Sequence, residues 1–169
     1  MTSIFKVGGQ TIQLGRAWRD PDGTLQPKNW HIWSDDEKKA AGISEVVLQP
    51  FPDGRLYNSS HNADGSVTST AKPLEDVKTK LKQEVKIRQG TYLFQTDWAI
   101  VRKADAGTDI PSNIQTWRDA IRKKATEMEA AIETAADTAA VEALFLKVTT
   151  DDDGKVTKSG ILYDWPELG

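Results

Sequence analysis

The 169-residue chain contains no cysteine and only two histidines, His31 and His61. Without cysteine it has no disulfide bonds, no thiolate nucleophile and no Cys-based zinc or iron-sulfur site. The two histidines form no His-x-x-x-His pair, and no Gly-x-Gly-x-x-Gly, P-loop or Gly-x-Ser-x-Gly motif occurs. The acidic turn at 151–154 lacks the ligand spacing of an EF-hand. We therefore expect no catalytic, cofactor-binding or metal-binding residues, no small-molecule substrate and no enzyme activity.

A strong excess of one charge and long hydrophobic runs are missing as well. The chain carries 22 Lys and Arg against 25 Asp and Glu, a net charge of -3. Nucleic-acid-binding domains usually carry a basic surface, so this balance argues against a nucleic-acid partner. No apolar run approaches the roughly 20 residues that span a bilayer, and the first residues lack the apolar segment of a signal peptide. We expect a soluble protein that is made without export and has no membrane partner.

Tryptophan, in contrast, is abundant for a chain of this size. Six tryptophans occur, at positions 18, 30, 33, 98, 117 and 165. Tryptophan combines a large apolar ring with a polar N–H group, and it is enriched at protein recognition surfaces. The abundance of tryptophan therefore indicates a protein that binds another protein.

Short β-prone segments separated by turn residues fill the first part of the chain, and they predict a small antiparallel β-rich module at 1–71. Gly8 and Gly9 lie between two such segments and predict a hairpin. Ser34 and Glu37 have the spacing of a capping box, which predicts a short helix at 35–41. Further strands are expected at 43–51, 56–58 and 67–70.

From position 72 onwards the apolar period changes to that of a helix. We predict a helical arm at 72–136 with two main helices: one at 74–89, ended by Gly90, and one at 112–136, capped by Ser112. The segment between them is too apolar for a solvated linker and should dock on another part of the protein. Residues 137–169 predict a short helix at 138–147 and a hairpin-like end. The fold class is therefore α+β.

The second main helix carries an apolar stripe and a split of charge. Trp117, Ile121, Met128 and Ile132 repeat at heptad-like spacing, and the stripe extends about nine residues beyond that of the first helix. Two interpretations are open: the stripe packs entirely on the helix at 74–89, or its distal part near Met128 and Ile132 forms an interface. The charges, basic first and acidic later, either match an antiparallel neighbour or only solvate the outer face.

Three segments carry a resemblance to a known family. Residues 95–103 (QTDWAIVRK), residues 107–111 (GTDIP) and residues 117–122 (WRDAIR) follow one another in that order. In this pattern the chain resembles the tail fibre assembly proteins of tailed bacteriophages, which have a Thr-Asp-Trp segment, a short loop with proline, and a helix with an aromatic residue and two arginines. A terminal Trp-Pro pair completes the pattern and is matched by Trp165 and Pro166. The similarity lies mainly within residues 74–136.

The resemblance implies a chaperone without enzyme activity that binds a trimeric phage tail fibre protein and assists its folding, trimerisation or attachment. Such a chaperone acts in the host cytoplasm during phage assembly, and its retention in the virion tail is left open. The alternative is a permanent structural adaptor of the tail or baseplate. On this hypothesis Thr96 and Asp97 order the turn between the helices. The expected partner-binding residues are Trp98, Trp117, Ile121, Met128 and Ile132.

Overall fold

The computed structural model describes residues 2–168, which form two compact units divided between Thr70 and Ala71. Within the described residues, five α-helices accompany small antiparallel sheets. This mixture confirms the predicted α+β fold class. Residues 137–169 belong to the same compact unit as the helical arm.

The first unit is built on a three-stranded antiparallel sheet in the order β2-β1-β5. Gly8 and Gly9 have positive φ angles of 54° and 85° and make the tight turn between β1 and β2, so the predicted hairpin is confirmed. The elements of this unit are β1 (Thr2–Val7), β2 (Gln10–Ile12), β3 (Trp18–Arg19), β4 (Leu25–Gln26), α1 (Asp35–Ala40), β5 (Ile43–Leu48), β6 (Tyr57–His61) and β7 (Val67–Ala71).

Local hydrogen bonds begin α1 as the sequence predicts. The Ser34 hydroxyl oxygen accepts the backbone N–H of Glu37 at 3.3 Å, and the Glu37 carboxylate accepts the backbone N–H of Ser34 at 2.8 Å. These two bonds form the capping box. The bonds from the Ser34 hydroxyl and backbone lower the pKa of the Glu37 carboxyl.

Two of the six tryptophans form the core of the first unit. Trp30 is fully buried, and its indole N–H donates to the Arg16 carbonyl oxygen at 3.1 Å. Phe5 meets the Trp30 ring edge to face, with the centroids 5.2 Å apart. Trp18 is buried in the same cluster. These tryptophans therefore stabilise the fold and are not part of an exposed recognition surface.

The turn between β6 and β7 packs closely on β5. Gly65 has a φ of 84°, and its carbonyl oxygen accepts the backbone N–H of Gln49 at 3.0 Å. A Cβ atom at position 65 would lie 2.2 Å from the Val47 carbonyl oxygen, which is far inside van der Waals contact. Only glycine satisfies both the positive φ and the close approach.

The second unit is organised around two long antiparallel helices, α2 and α4. Lys78 near the start of α2 contacts Glu133 near the end of α4, and Leu93 near the end of α2 contacts Arg118 near the start of α4. The two helices have 21 and 23 residues, so they match closely in length. The elements are α2 (Leu74–Phe94), α3 (Asp97–Ala106), α4 (Ser112–Thr134), α5 (Thr138–Leu144), β8 (Lys147–Thr150) and β9 (Val156–Ser159).

Three features of this unit differ from the prediction: the end of one helix, the cap of another and an additional helix. Helix α2 does not end at Gly90 but continues to Phe94, because Tyr92 still packs edge to face on Trp117, 6.4 Å between centroids. Ser112 is the first residue of α4, and Pro111 takes the cap position without a side-chain hydrogen bond. The apolar segment between the two long helices contains α3, a helix that the sequence analysis did not predict.

Two lysines of α2 contact the last turn of α4. The Lys78 ammonium donates to the Glu133 carbonyl oxygen at 3.0 Å, and the Lys82 ammonium donates to the Glu133 carboxylate at 2.7 Å. Carbonyl groups at a helix C-terminus lack partners within the helix and favour positive charge nearby. The hydrogen bond between the side chains lowers the pKa of the Glu133 carboxyl and raises the pKa of the Lys82 ammonium.

Candidate partner-binding site

A buried arginine joins the end of α2 to the start of α3. Arg118, on α4, has only 5% of its surface exposed. Its Nη1 donates to the Leu93 carbonyl oxygen at 2.7 Å, to the Thr96 hydroxyl oxygen at 2.8 Å and to Asp97 Oδ1 at 2.9 Å. We call these four residues the Arg118 cluster.

Helix electrostatics explain why a cation is stable at this position. The Leu93 carbonyl lies in the last turn of α2, where partial negative charge accumulates, and Asp97 occupies the first turn of α3. Arg118 supplies a charged donor to both helix ends at once. Thr96 is buried, and its hydroxyl also donates to the Leu93 carbonyl oxygen at 3.2 Å. The structure therefore places Thr96 in the turn between α2 and α3, whereas Asp97, which was predicted to lie in the turn, is the first residue of α3.

The geometry of this turn determines where Trp98 lies. Ala99 is buried, whereas 52% of the neighbouring Trp98 side chain is exposed. Val101, one helical turn later, is exposed as well. The Arg118 cluster thus fixes the start of α3 so that Trp98 and Val101 lie on its solvent side.

Helix α2 adds further exposed apolar side chains. Ile87 and Phe94 are seven residues apart, which puts them on one side of the helix two turns apart, and 76% of Phe94 is exposed. We call the surface formed by Ile87, Phe94, Trp98 and Val101 the α2–α3 face. Exposed apolar side chains that lie together on a surface are typical of a protein-binding site.

The last tryptophan and the proline that follows it pack beside the Arg118 cluster. The Trp117 indole N–H donates to the Pro166 carbonyl oxygen at 3.0 Å. The Trp165 ring lies 5.3 Å from that of Tyr92, and the Trp165 Nε1 is buried without a hydrogen-bond partner. The Trp-Pro pair thus contacts the same two helices that hold the Thr-Asp-Trp segment.

Tyr163 fixes the preceding part of this segment on α2. Its backbone has a φ of 71°, a strained conformation for a residue other than glycine. Its hydroxyl donates to the Glu84 carboxylate at 2.6 Å, and the Arg88 guanidinium lies 4.2 Å from the ring centroid. These contacts hold the segment in spite of the backbone strain.

Four of the predicted partner-binding residues are in the interior. Trp117, Ile121, Met128 and Ile132 are buried within the chain itself. The prediction that they present a surface to a partner is wrong, because α2 runs along nearly the whole of α4 and α5 folds back beside its end, burying Val141. The open alternative, in which the whole stripe packs internally, is the one that the structure bears out.

The sequence analysis missed the role of Arg118 and the exposure of Phe94, Ile87 and Val101. A signal for the last three exists, because Ile87 and Phe94 have the seven-residue spacing of a helix side. The predicted helix ends before Phe94, so the prediction does not place Ile87 and Phe94 on the same helix. Among the predicted partner-binding residues, Trp98 alone is exposed.

Within residues 2–168, no group of three or more His, Cys, Asp or Glu side chains is placed to hold a metal ion. In the same residues, no helix combines the length and the apolar character needed to cross a membrane.

Comparisons of the chain with protein-family models, with curated proteins and with solved structures each gave no match.

Proposed function

We propose that the protein is a chaperone of bacteriophage tail fibre assembly, which binds the fibre protein and assists its folding, trimerisation or attachment. One observation carries this proposal. Asp97 of the Thr-Asp-Trp segment and Arg118, the first arginine of the helix in the resemblance, are 21 residues apart, yet they form a direct ion pair at 2.9 Å. The residues behind the resemblance therefore meet in the fold, and they hold the start of α3, where Trp98 is exposed.

The exposed side chains of α2 and α3 support a role in binding unfolded or partly assembled chains. Trimeric β-rich fibres expose apolar surface and strand edges until their three chains are in register. Exposed apolar residues such as Phe94 and Trp98 are suited to covering this surface. Release needs no nucleotide, because contacts between fibre subunits replace the contacts with the chaperone as the trimer closes.

Co-expression with the tail fibre protein of the same genome tests the proposal. The yield of soluble trimer, measured by native mass spectrometry, is compared with and without this protein. We expect soluble trimer to be reduced at least several-fold when this protein is missing. An equal yield of trimer in both cultures would contradict the chaperone proposal.

Purified virions supply the second part of the test. A chaperone that is released after assembly is missing from them or present in less than stoichiometric amounts. A fixed ratio of this protein to the fibre in mature particles, together with normal trimer yield in its absence, would identify a structural adaptor instead.

A further inference from the structure

We propose that the α2–α3 face is the surface that contacts the fibre, and that it recognises an apolar patch bordered by carboxylates. This inference rests on the proposed function and specifies the chemistry of the partner surface. It follows from the spacing of the exposed apolar residues and from the charges around them.

The α2 part of the face is a stripe with one charged end. Lys80, Ile87 and Phe94 recur every seven residues, so they lie along one side of α2, roughly 10 Å apart. Gly90 and Thr91 lie between the two apolar residues, and both are exposed. Gly90 has no side chain and that of Thr91 is short, so the two exposed apolar side chains are not separated by a bulky residue.

The α3 part continues the same arrangement. Trp98 and Val101 are one turn apart, and Arg102 follows Trp98 by four residues, so these three side chains share one side of the helix. Only Gln95 and Thr96 separate α3 from α2. Large aromatic residues such as Phe94 and Trp98 are the residue types that dominate binding energy at interfaces.

The charges along this segment are mostly basic. Residues 77–106 carry seven Lys and Arg side chains and three acidic ones, a net charge of +4 in a chain whose total is -3. Two of the three carboxylates have partners within the protein: Glu84 accepts the Tyr163 hydroxyl, and Asp97 pairs with Arg118. The third, Asp105, is on the exposed side of α3 beyond Val101.

The basic residues divide into those that hold the fold together and those that border the face. Lys78 and Lys82 contact Glu133, Lys103 pairs with Asp109 at 3.4 Å, and Arg88 lies over the Tyr163 ring. The exposed cations that border the apolar residues are Lys80, Lys86 and Arg102. A partner surface with carboxylates around an apolar centre complements this arrangement, and long-range attraction increases its rate of association.

The same charges argue against a second copy of this chain as the occupant. A two-fold symmetric contact places a surface patch on the identical patch of the other subunit. Two α2–α3 faces packed in this way would bring their basic borders together. A partner with a different, acidic surface avoids this repulsion.

The test measures binding of the full-length chain to purified fibre protein by surface plasmon resonance. The variant Phe94→Ser/Trp98→Ser removes the two exposed rings, and Leu25→Ser/Phe51→Ser removes two exposed apolar side chains of the first unit as a matched control. Loss of each ring at a binding hot spot weakens binding by about 30-fold or more. For the variant that removes both rings we expect affinity to fall by at least 30-fold, about the effect of one ring. For the control variant we expect a change in affinity within about threefold. Hydrogen exchange of α4 in the second unit and of β1 in the first verifies that both units of each variant are folded.

A charge variant tests the chemistry of the partner. Lys80→Glu/Lys86→Glu/Arg102→Glu should slow association by about tenfold or more at low salt and reduce the dependence on ionic strength, with a smaller effect on dissociation. An unchanged association rate and an unchanged salt dependence would overturn the proposal that carboxylates border the apolar patch of the partner.

The outcomes separate the two proposals. Wild-type chain that does not bind the fibre would overturn the proposed function. Wild-type chain that binds, together with a Phe94→Ser/Trp98→Ser variant that binds equally well, would overturn this inference and leave the function standing. Self-association of the wild-type chain in light scattering that the same variant abolishes would assign the face to a second copy instead.

Discussion

Replacing Arg118 by methionine should destabilise the second unit selectively. Methionine keeps the unbranched apolar part of the side chain but removes the charged donor. Three acceptors lose their shared partner: the Leu93 carbonyl oxygen, the Thr96 hydroxyl oxygen and Asp97 Oδ1. The turn between α2 and α3 would lose the contacts that connect it to α4.

The contacts themselves give the size of the effect. Hydrogen bonds to charged groups contribute about 1.5–3 kcal/mol each. The Asp97 side chain is half exposed, so solvent reduces the contribution of its ion pair to below about 1 kcal/mol. The Leu93 carbonyl keeps its bond from the Thr96 backbone N–H at 3.1 Å. The buried Nε of Arg118 has no hydrogen-bond partner, and removing it recovers part of the loss. We expect a net loss of about 2 kcal/mol.

Urea unfolding combined with hydrogen exchange is the appropriate assay, because the chain has two units that need not unfold together. Peptides from α2, α3 and α4 should lose protection in Arg118→Met, whereas peptides from the sheet β2-β1-β5 should keep it. Asp97→Asn is the control that removes only the ion pair, and it should lower the free energy of unfolding by less than about 1 kcal/mol. A loss below about 0.5 kcal/mol for Arg118→Met, or equal loss of protection in both units, would refute the role given to the Arg118 cluster.

Three further comparisons test the packing and the charges. Gly65→Ala should destabilise the first unit in urea by at least about 1 kcal/mol more than Gly9→Ala, because both positions have φ near 85° but only position 65 meets a β5 carbonyl oxygen. In the same assay Trp117→Phe should cost about 1 kcal/mol more than Trp165→Phe, since only Trp117 donates its indole N–H to another residue; equal losses would contradict this account. The lowered pKa of Glu133 means that its ion pair with α2 contributes to stability above pH 4.5 and that this contribution is lost as the pH falls through the folded-state pKa. The difference between wild type and Glu133→Gln in urea unfolding at pH 3 to 8 should therefore be constant from about pH 6 upwards and shrink in acid, and a difference that grows in acid would contradict this sign.

Features that depend on neighbouring residues could be predicted from the sequence. The capping box of Ser34 and Glu37 closes within four residues, and the glycine pair at 8 and 9 by itself supplies the positive φ angles of the β1–β2 turn. The hairpin of β8 and β9 likewise forms around the predicted acidic turn. In each case the hydrogen bonds that select the conformation join residues close together in the chain.

Features that depend on residues distant in the chain could not be predicted from the sequence. The only buried hydrophobic residue of α3 is Ala99, so the helix has almost no apolar stripe to detect. Nothing near Met128 in the sequence shows that α5 folds back and helps to cover the end of the stripe. The Arg118 side chain resembles a surface charge until α2 and α3 place three acceptors around it. These outcomes are decided by tertiary packing, which no local pattern contains.

The passage of α2 through Gly90 gives this helix a built-in soft point. Glycine within a helix is about 1 kcal/mol less favourable than alanine, and Gly90 is exposed one turn before Phe94. The turn that carries Phe94 is therefore less favourable as a helix than it would be with alanine at position 90, while Arg118 holds the Leu93 carbonyl oxygen near its end. On the proposed function, this turn is the part of α2 that would adjust most easily to a partner surface that changes shape during assembly.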